Sequence, residues 1–278
     1  MNFKEINNFL EKLKSINDEK EIITRFLDYG ISVLNCDSGT FFTVNEAKKT
    51  ITFDIVRGKN SEELSGISFG YTGIVGWCAQ TKKDILVKDT SNNPVFTKKV
   101  DYATKYLTKS VIALNIGYSN DIFGIIEFIN PKDKESFDDN DFELIKLISS
   151  SVSYKIYIIR IENSIFQINN RLNSTINNLS GGFIGIDNNG VVIFLNPRAR
   201  EILKLEADMI GKNYTELPDY IYQIKNLLSD AKNGKLVKRG EIICKIKSED
   251  RKIGYSTISL RSMDSSIIGS ALIFQDIT

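Results

Sequence analysis

Histidine is absent from the chain, and with it go the usual general base at neutral pH and the commonest zinc and haem ligand. No Ser-His-Asp triad, His-ligated haem or phosphoaccepting histidine resides in these 278 residues. Cysteine is scarce: Cys36, Cys78 and Cys244 lie far apart with no CxxC pair, which excludes a disulfide framework and a paired-thiolate metal site and fits a reducing compartment. No run approaches the roughly 20 apolar residues of a membrane helix, and the amino terminus, MNFKEINNFLEKLKS, is amphipathic where a signal peptide is apolar. A cytoplasmic chain outside the membrane is expected. Charge of one sign is lacking as well, since 36 Lys and Arg face 35 Asp and Glu for a net charge of +1, so neither nucleic acid nor an anionic membrane is an expected partner. There is no Walker loop and no GxSxG elbow. The chain reads as a non-enzyme with no cofactor and no metal.

What is present is enough hydrophobic sequence, 42%, for one large or two medium domains. Phe3, Ile6, Leu10 and Leu13 make one stripe of a first helix. Asp18 and Glu21 are spaced as a capping box for a second helix running toward Val33. Thr40–Val44 and Thr50–Val56, aromatic and β-branched around the polar turn Asn45–Lys49, predict a hairpin. A glycine-punctuated stretch with Gly70, Gly73, Gly76 and Trp77 then enters a short helix, followed by a strand at Asp84–Val87. Strands are expected at Ser110–Ile116 and Ile122–Asn130, and a helix starting at Asp138 with Asp141 as its box partner and Phe137 with Phe142 as staple.

These motifs in this order resemble the GAF domain over residues 1–155: the Gly70, Gly73, Gly76 and Trp77 entry, the strand Ile85–Asp89, a variable lid over Thr90–Lys109, two central strands and a closing helix at Phe137–Ile145. The resemblance implies an α+β fold with a central antiparallel sheet. It also implies a pocket lined by Phe41, Thr43, Trp77, Asp89, Phe96, Tyr102, Tyr106, Ile112 and Glu127. Cyclic-nucleotide-binding members carry an Asn-Lys pair, a downstream Phe and an Asp-Glu pair. Here Asn130, Phe137 and Asp141 match, whereas Pro131 and Phe142 depart from the pattern.

From Leu144 to Leu179 a second signal dominates. Leu144, Leu147, Ser151, Tyr154, Ile158, Ile161, Ile165, Ile168, Leu172, Thr175 and Leu179 recur at alternating steps of three and four, a heptad seam. Without Pro or Gly between Lys132 and Ser180, residues 144–180 are expected as one connecting coiled-coil helix of roughly 50 Å at about 1.5 Å per residue. The expected partner is a second, parallel copy of the chain meeting at Leu144, Leu147, Tyr154, Ile158, Ile161, Ile165, Ile168, Leu172 and Leu179.

Gly181-Gly182 ends that pattern. Phe183–Asp187 and Val191–Asn196 around Asn188-Asn-Gly190 predict a hairpin, and Pro197–Leu203 a short helix with proline in its first turn. Ile210–Asn213, a helix over Asp219–Lys232 and strands at Val237–Ser248, Lys252–Arg261 and Ser266–Phe274 complete an order that resembles a PAS domain over residues 181–278, with Gln275-Asp-Ile-Thr278 as its exit signature at a domain boundary. The resemblance implies a cavity near Phe194, Leu203, Tyr214, Tyr220, Thr257 and Phe274. Photochemistry is not implied, because Asn196 is followed by Pro-Arg-Ala where flavin photoreceptors have Cys-Arg-Phe.

Two features read as packing and not as sites: the Gly70, Gly73 and Gly76 turn, which is neither a Walker nor a dinucleotide loop, and Cys78, a small hydrophobe on a short helix. Together the resemblances imply a sensory module of a bacterial signal-transduction protein, with a small organic molecule as ligand. The signal would pass through a dimeric helix to a downstream effector: a histidine kinase of a two-component system first, otherwise a cyclic-dinucleotide enzyme or an AAA+ activator. The alternatives are a ligand-free dimerisation scaffold and a GAF-type methionine sulfoxide reductase acting through Cys78.

Overall fold

Two antiparallel sheets organise the protein, one in each of the units Met1–Ser164 and Ile165–Thr278. The computed structural model describes residues 3–58, 64–97 and 107–278. Both units are α+β, as expected, and among the described residues no helix is long and apolar enough to cross a membrane.

The first unit opens with α1 (Phe3–Lys14) and α2 (Glu19–Val33). Asp18 caps α2, its carboxylate accepting from the Glu21 amide at 2.7 Å, which satisfies one of the free N–H groups of the first turn. The hairpin β1 (Cys36–Asn45) and β2 (Thr50–Arg57) follows, then β3 (Ser68–Gly70), α3 (Gly73–Thr81), β4 (Ile85–Val87), β5 (Val111–Tyr118) and β6 (Asp121–Pro131). Strand order is β3-β2-β1-β6-β5-β4.

Alternation sorts the side chains of this sheet onto two buried faces. Phe41, Ile112, Leu114, Ile126 and Phe128 pack under α1, α2 and the long helix, while Phe42, Phe53, Val111, Ala113 and Ile125 pack under α3. In β2 the register steps from Ile55 opposite Phe41 to Phe53 opposite Phe42, leaving Asp54 as the extra residue. That bulge lets Phe53 and Ile55 serve opposite faces. Gly30 brings α2 against the sheet: a Cβ there would sit 2.3 Å from the Phe128 ring.

The long helix α4 (Asp139–Asn177, 39 residues) is about 58 Å long at 1.5 Å per residue. Its start is the expected capping box, with Asp138 accepting from the Asp141 amide at 3.0 Å and Asp141 accepting from the Asp138 amide at 2.9 Å, and Phe137 is fully buried beneath it. Ile145, Ile148, Val152, Ile156 and Ile159 enter the core of the first unit. Arg160 adds an ion pair to Glu19 and lies 4.1 Å over the Phe123 ring. Helical structure ends at Asn177, so Leu179, expected in the seam, lies beyond the helix.

In the second unit β7 (Gly182–Asp187), β8 (Val192–Leu195), α5 (Pro197–Ile202), α6 (Tyr222–Lys232), β9 (Gly240–Ile246), β10 (Glu249–Arg261) and β11 (Ile267–Asp276) make a sheet of order β8-β7-β11-β10-β9. Two 3-10 turns, Tyr214–Glu216 and Asp219–Ile221, precede α6. Ile184, Ile186, Val192, Ile202, Leu203, Ile224, Leu228, Ile253, Leu272 and Phe274 form the core between the sheet and these helices. At the exit Asp276 accepts from the Thr278 hydroxyl at 2.6 Å and pairs with Arg251, and these donors hold its carboxyl at about 2.

Two outcomes follow from this packing. Gly30→Ala gains about 1 kcal/mol of helix propensity but overpacks Phe128, which costs about 1–3 kcal/mol. Thermal unfolding should therefore show a destabilised variant, partly recovered by adding Phe128→Leu. Asp276→Asn should cost about 1–2 kcal/mol near neutral pH. Because folding lowers the Asp276 pKa, its contribution is present above the unfolded value of about 4 and is lost as pH falls through the folded one, so urea titrations should show the two proteins converging in acid.

Candidate functional site

In the first unit a cleft of about 550 Å³ opens at the end of the sheet where β4 ends and β5 begins. Its walls are the turn Lys88–Ser91 after β4, Phe96, the stretch Leu107–Lys109 ahead of β5, and Glu135–Ser136 ahead of α4. The volume matches that of small-molecule pockets. Two of the expected residues, Asp89 and Phe96, line it.

The polar groups around this cleft are largely committed to the backbone. Thr90 donates its hydroxyl to the Thr108 carbonyl at 2.5 Å and its amide to the Lys109 carbonyl at 2.9 Å. Asn130, buried and in a left-handed conformation with φ 57°, accepts from the Lys109 amide at 2.7 Å and donates to the Leu107 carbonyl at 2.8 Å. Ser110 donates to the Val87 carbonyl at 3.0 Å and accepts from the Phe137 amide at 3.1 Å. Asn130 and Phe137 thus tie the chain around the cleft together, and Asp141 caps the helix. Lys134 pairs with Asp141 at 2.5 Å. Asp89 folds back on Ser91, accepting its amide at 2.9 Å and its hydroxyl at 2.8 Å, and the amide bond foremost holds its carboxyl below the ordinary range.

The remaining expected residues separate by sheet face. Trp77, half-buried, packs on the α3 side. Glu127 shares that face with Ile125 and Ile129 by alternation, and its charge acts on Cys78. Phe41 and Ile112 do not belong to the pocket: they are 2% and 0% exposed in the core under α2 and α4, and alternation puts Thr43 on the face of Phe41. The expectation chose the wrong phase on strands whose two faces are both apolar. Tyr102 and Tyr106 lie outside the described residues. The stretch expected as a lid, Thr90–Lys109, supplies Thr90, Ser91, Leu107, Thr108 and Lys109 to the lining, whereas Lys88, Glu135 and Ser136 were not expected.

In the second unit Leu203 and Phe274 are core residues, 0% and 1% exposed. Thr257 accepts from the Val237 amide at 2.7 Å, and Tyr220 donates to the carbonyls of Leu203 and Lys204 at 3.2 and 2.9 Å. Tyr214 packs at the edge of the same core. Phe194 is a further correction: it stands on the outer face, 36% exposed, edge-on to Phe183 at 6.3 Å. The β7–β8 register steps from Gly185 opposite Phe194 to Ile186 opposite Val192, and the extra residue Ile193 turns Phe194 outward.

The three cysteines are free and buried. Burial pushes Cys36 up to about 12 and Cys244 up to about 11. Cys78 is raised by burial and then by the charges of Glu127 and Asp84, the opposite of an activated thiolate. Among the described residues no group of three or more ligating side chains is placed to hold a metal.

Comparison with known proteins agrees with this architecture. The GAF domain model matches residues 17–155 and the PAS fold model residues 170–277. A cGMP-specific 3',5'-cyclic phosphodiesterase of Drosophila melanogaster is 30% identical over 164 residues, covering 57% of this chain and 14% of the relative. The chain thus spans about one-seventh of the length of the curated relatives it matches. Among solved structures, the GAF domain of a phosphoenolpyruvate-protein phosphotransferase from Coxiella burnetii superposes with a TM-score of 0.51 at 11% identity, over 58% of this chain and 96% of that one. The E. coli DhaR(N)–DhaL complex gives a TM-score of 0.47 at 17% identity over 95% of this chain and 89% of that one. The chain belongs to the GAF domain family over residues 17–155 and carries a PAS domain in tandem behind it, the domains of sensory signal-transduction proteins.

Proposed function

We propose that this protein is a non-enzymatic, cytoplasmic sensory module that works as a parallel homodimer. It binds a small organic molecule in the cleft of its GAF domain and passes the signal along α4 to an effector, a histidine kinase being the first candidate. The observation that carries this reading is the two-sidedness of α4. Ile145, Ile148, Val152, Ile156 and Ile159 are buried in the first unit, while Leu147, Tyr154, Ile161, Ile165, Ile168 and Leu172, at heptad positions, remain 40–62% exposed. Contiguous apolar exposure of this kind marks an interaction surface, and the three-four spacing fits a second helix of the same period.

Burying such side chains stabilises by roughly 1.5–3 kcal/mol each, enough to bring two chains together at low concentration. A ligand would act through unequal affinity for two arrangements of this helix pair. The cleft supports an organic ligand: its lining mixes Phe96 and Leu107 with Lys109, Glu135 and hydroxyls, the apolar wall with few polar groups that such sites share. The buried thiols favour this reading over a Cys78-dependent reductase.

Ile165→Asp should convert the dimer to monomer with unchanged helical circular dichroism, since it sets like charges facing each other in the seam. A wild-type monomer at micromolar concentration by light scattering, or an undiminished dimer in the variant, overturns the reading. The thiols offer a second check: a thiol-specific chromophoric reagent should label the native chain slowly at all three cysteines and completely once urea unfolds it. Rapid labelling of Cys78 would instead mark it as reactive.

A further inference from the structure

One buried side chain in the second unit is bonded more fully than its place in a hairpin requires. Asn196 is 0% exposed and its carboxamide makes four hydrogen bonds. Its Oδ1 accepts from the amides of Phe183 and Ala199, both at 2.8 Å. Its Nδ2 donates to the carbonyls of Gly181 at 2.9 Å and Ile176 at 3.1 Å. The acceptor half therefore fixes the start of β7 and caps α5, a common task for asparagine. The donor half reaches elsewhere: one bond goes to Gly181 just ahead of β7, and the other to Ile176 in the last turn of α4, whose carbonyl has no partner within the helix and also accepts from the Leu179 amide at 3.3 Å.

We propose that Asn196 is the latch between the PAS domain and the connecting helix, the residue through which a rearrangement at the β7–β8 hairpin reaches α4. The segment it grips is also joined to the exit of the domain. Gly182 pairs with Phe274 across the sheet, and a Cβ on Gly181 would come within 2.8 Å of the Phe274 carbonyl. The last turn of α4 and the entry strand β7 thus meet around one amide group, and β11 reaches it through Gly181 and Gly182, so movement of any of them bears on its donor bonds. This inference rests on the reading of α4 as the relay element but not on dimerisation.

Asn196→Asp separates the two halves. The carboxylate keeps both acceptor bonds and loses both donors, placing its second oxygen against two carbonyl oxygens. Hydrogen exchange read by mass spectrometry on the whole chain should show protection of the last turn of α4 falling roughly tenfold, the worth of one hydrogen bond, with β10 and β11 unchanged. After correction for intrinsic rates, protection should return in acid, because a protonated carboxyl donates again, whereas the wild type should show no such dependence. Where the Asp variant does not fold, Asn196→Ser, which keeps a capping oxygen but lacks the reach to Ile176, is read in the same way at neutral pH. Wild-type protection of the last turn in the variant overturns the latch. So does loss spread evenly through β10 and β11 without recovery in acid, which would make Asn196 a residue of general stability. Light scattering on the same samples reports the dimer separately, so failure of one reading is distinguishable from failure of the other.

Discussion

Everything in the first unit depends on α4 giving up one face to the sheet. Five isoleucine and valine side chains between Ile145 and Ile159 close the core over Phe41, Ile112 and Phe128, and without them those side chains would meet water. The commitment has a geometric cost. A helix buried on one side cannot hide an apolar stripe on the other, and the chain continues that stripe past Ser164 where the first unit ends. Stability of the domain and exposure of the seam are two results of one helical phase.

The same constraint accounts for the cleft. The start of α4 is pinned by the Asp138–Asp141 capping box and by Lys134, and Phe137 is tied to Ser110 ahead of β5. The wall of the cleft is therefore continuous with the beginning of the long helix. A ligand that displaced Thr108 or Lys109 would pull on Asn130 and Ser110, and through them on the helix start. The polar residues of the site serve as mechanical connections before they serve recognition.

Much of the architecture was legible in the sequence because its signals are local. Asp18 with Glu21, Asp138 with Asp141 and the Asn188-Asn-Gly190 turn each act within a few residues, and each element appears where they indicate. The site was less legible because its determinants are not local. β1, β5 and β6 are apolar on both faces, so alternation gives a period without a phase, and Phe41 and Ile112 were assigned to the wrong layer. The bulges at Asp54 and Ile193 change phase with no residue type to announce them. Asn130 matches a recognition motif by spacing, yet its partners include backbone atoms at 107, 109 and 110, which no side-chain pattern encodes. Leu179 continues the heptad count although α4 has already ended at Asn177.

The bulge in β8 has a consequence for how this sequence can vary over evolution. Val192 and Leu195 face the core while Phe194 faces outward only because Ile193 is an extra residue in the strand. Substitution at Ile193 leaves that count intact. Deletion of Ile193 would remove the bulge and leave plain alternation, with Val192 still opposite Ile186 and Phe194 still outward opposite Gly185, whereas deletion of Leu195 would put Asn196 in its place opposite Ile184 and out of reach of its four partners. The hairpin should therefore drift freely in composition and tolerate loss of its bulge, while a one-residue deletion on the Asn196 side of Ile193 would act as a change of wiring more than a loss of contact.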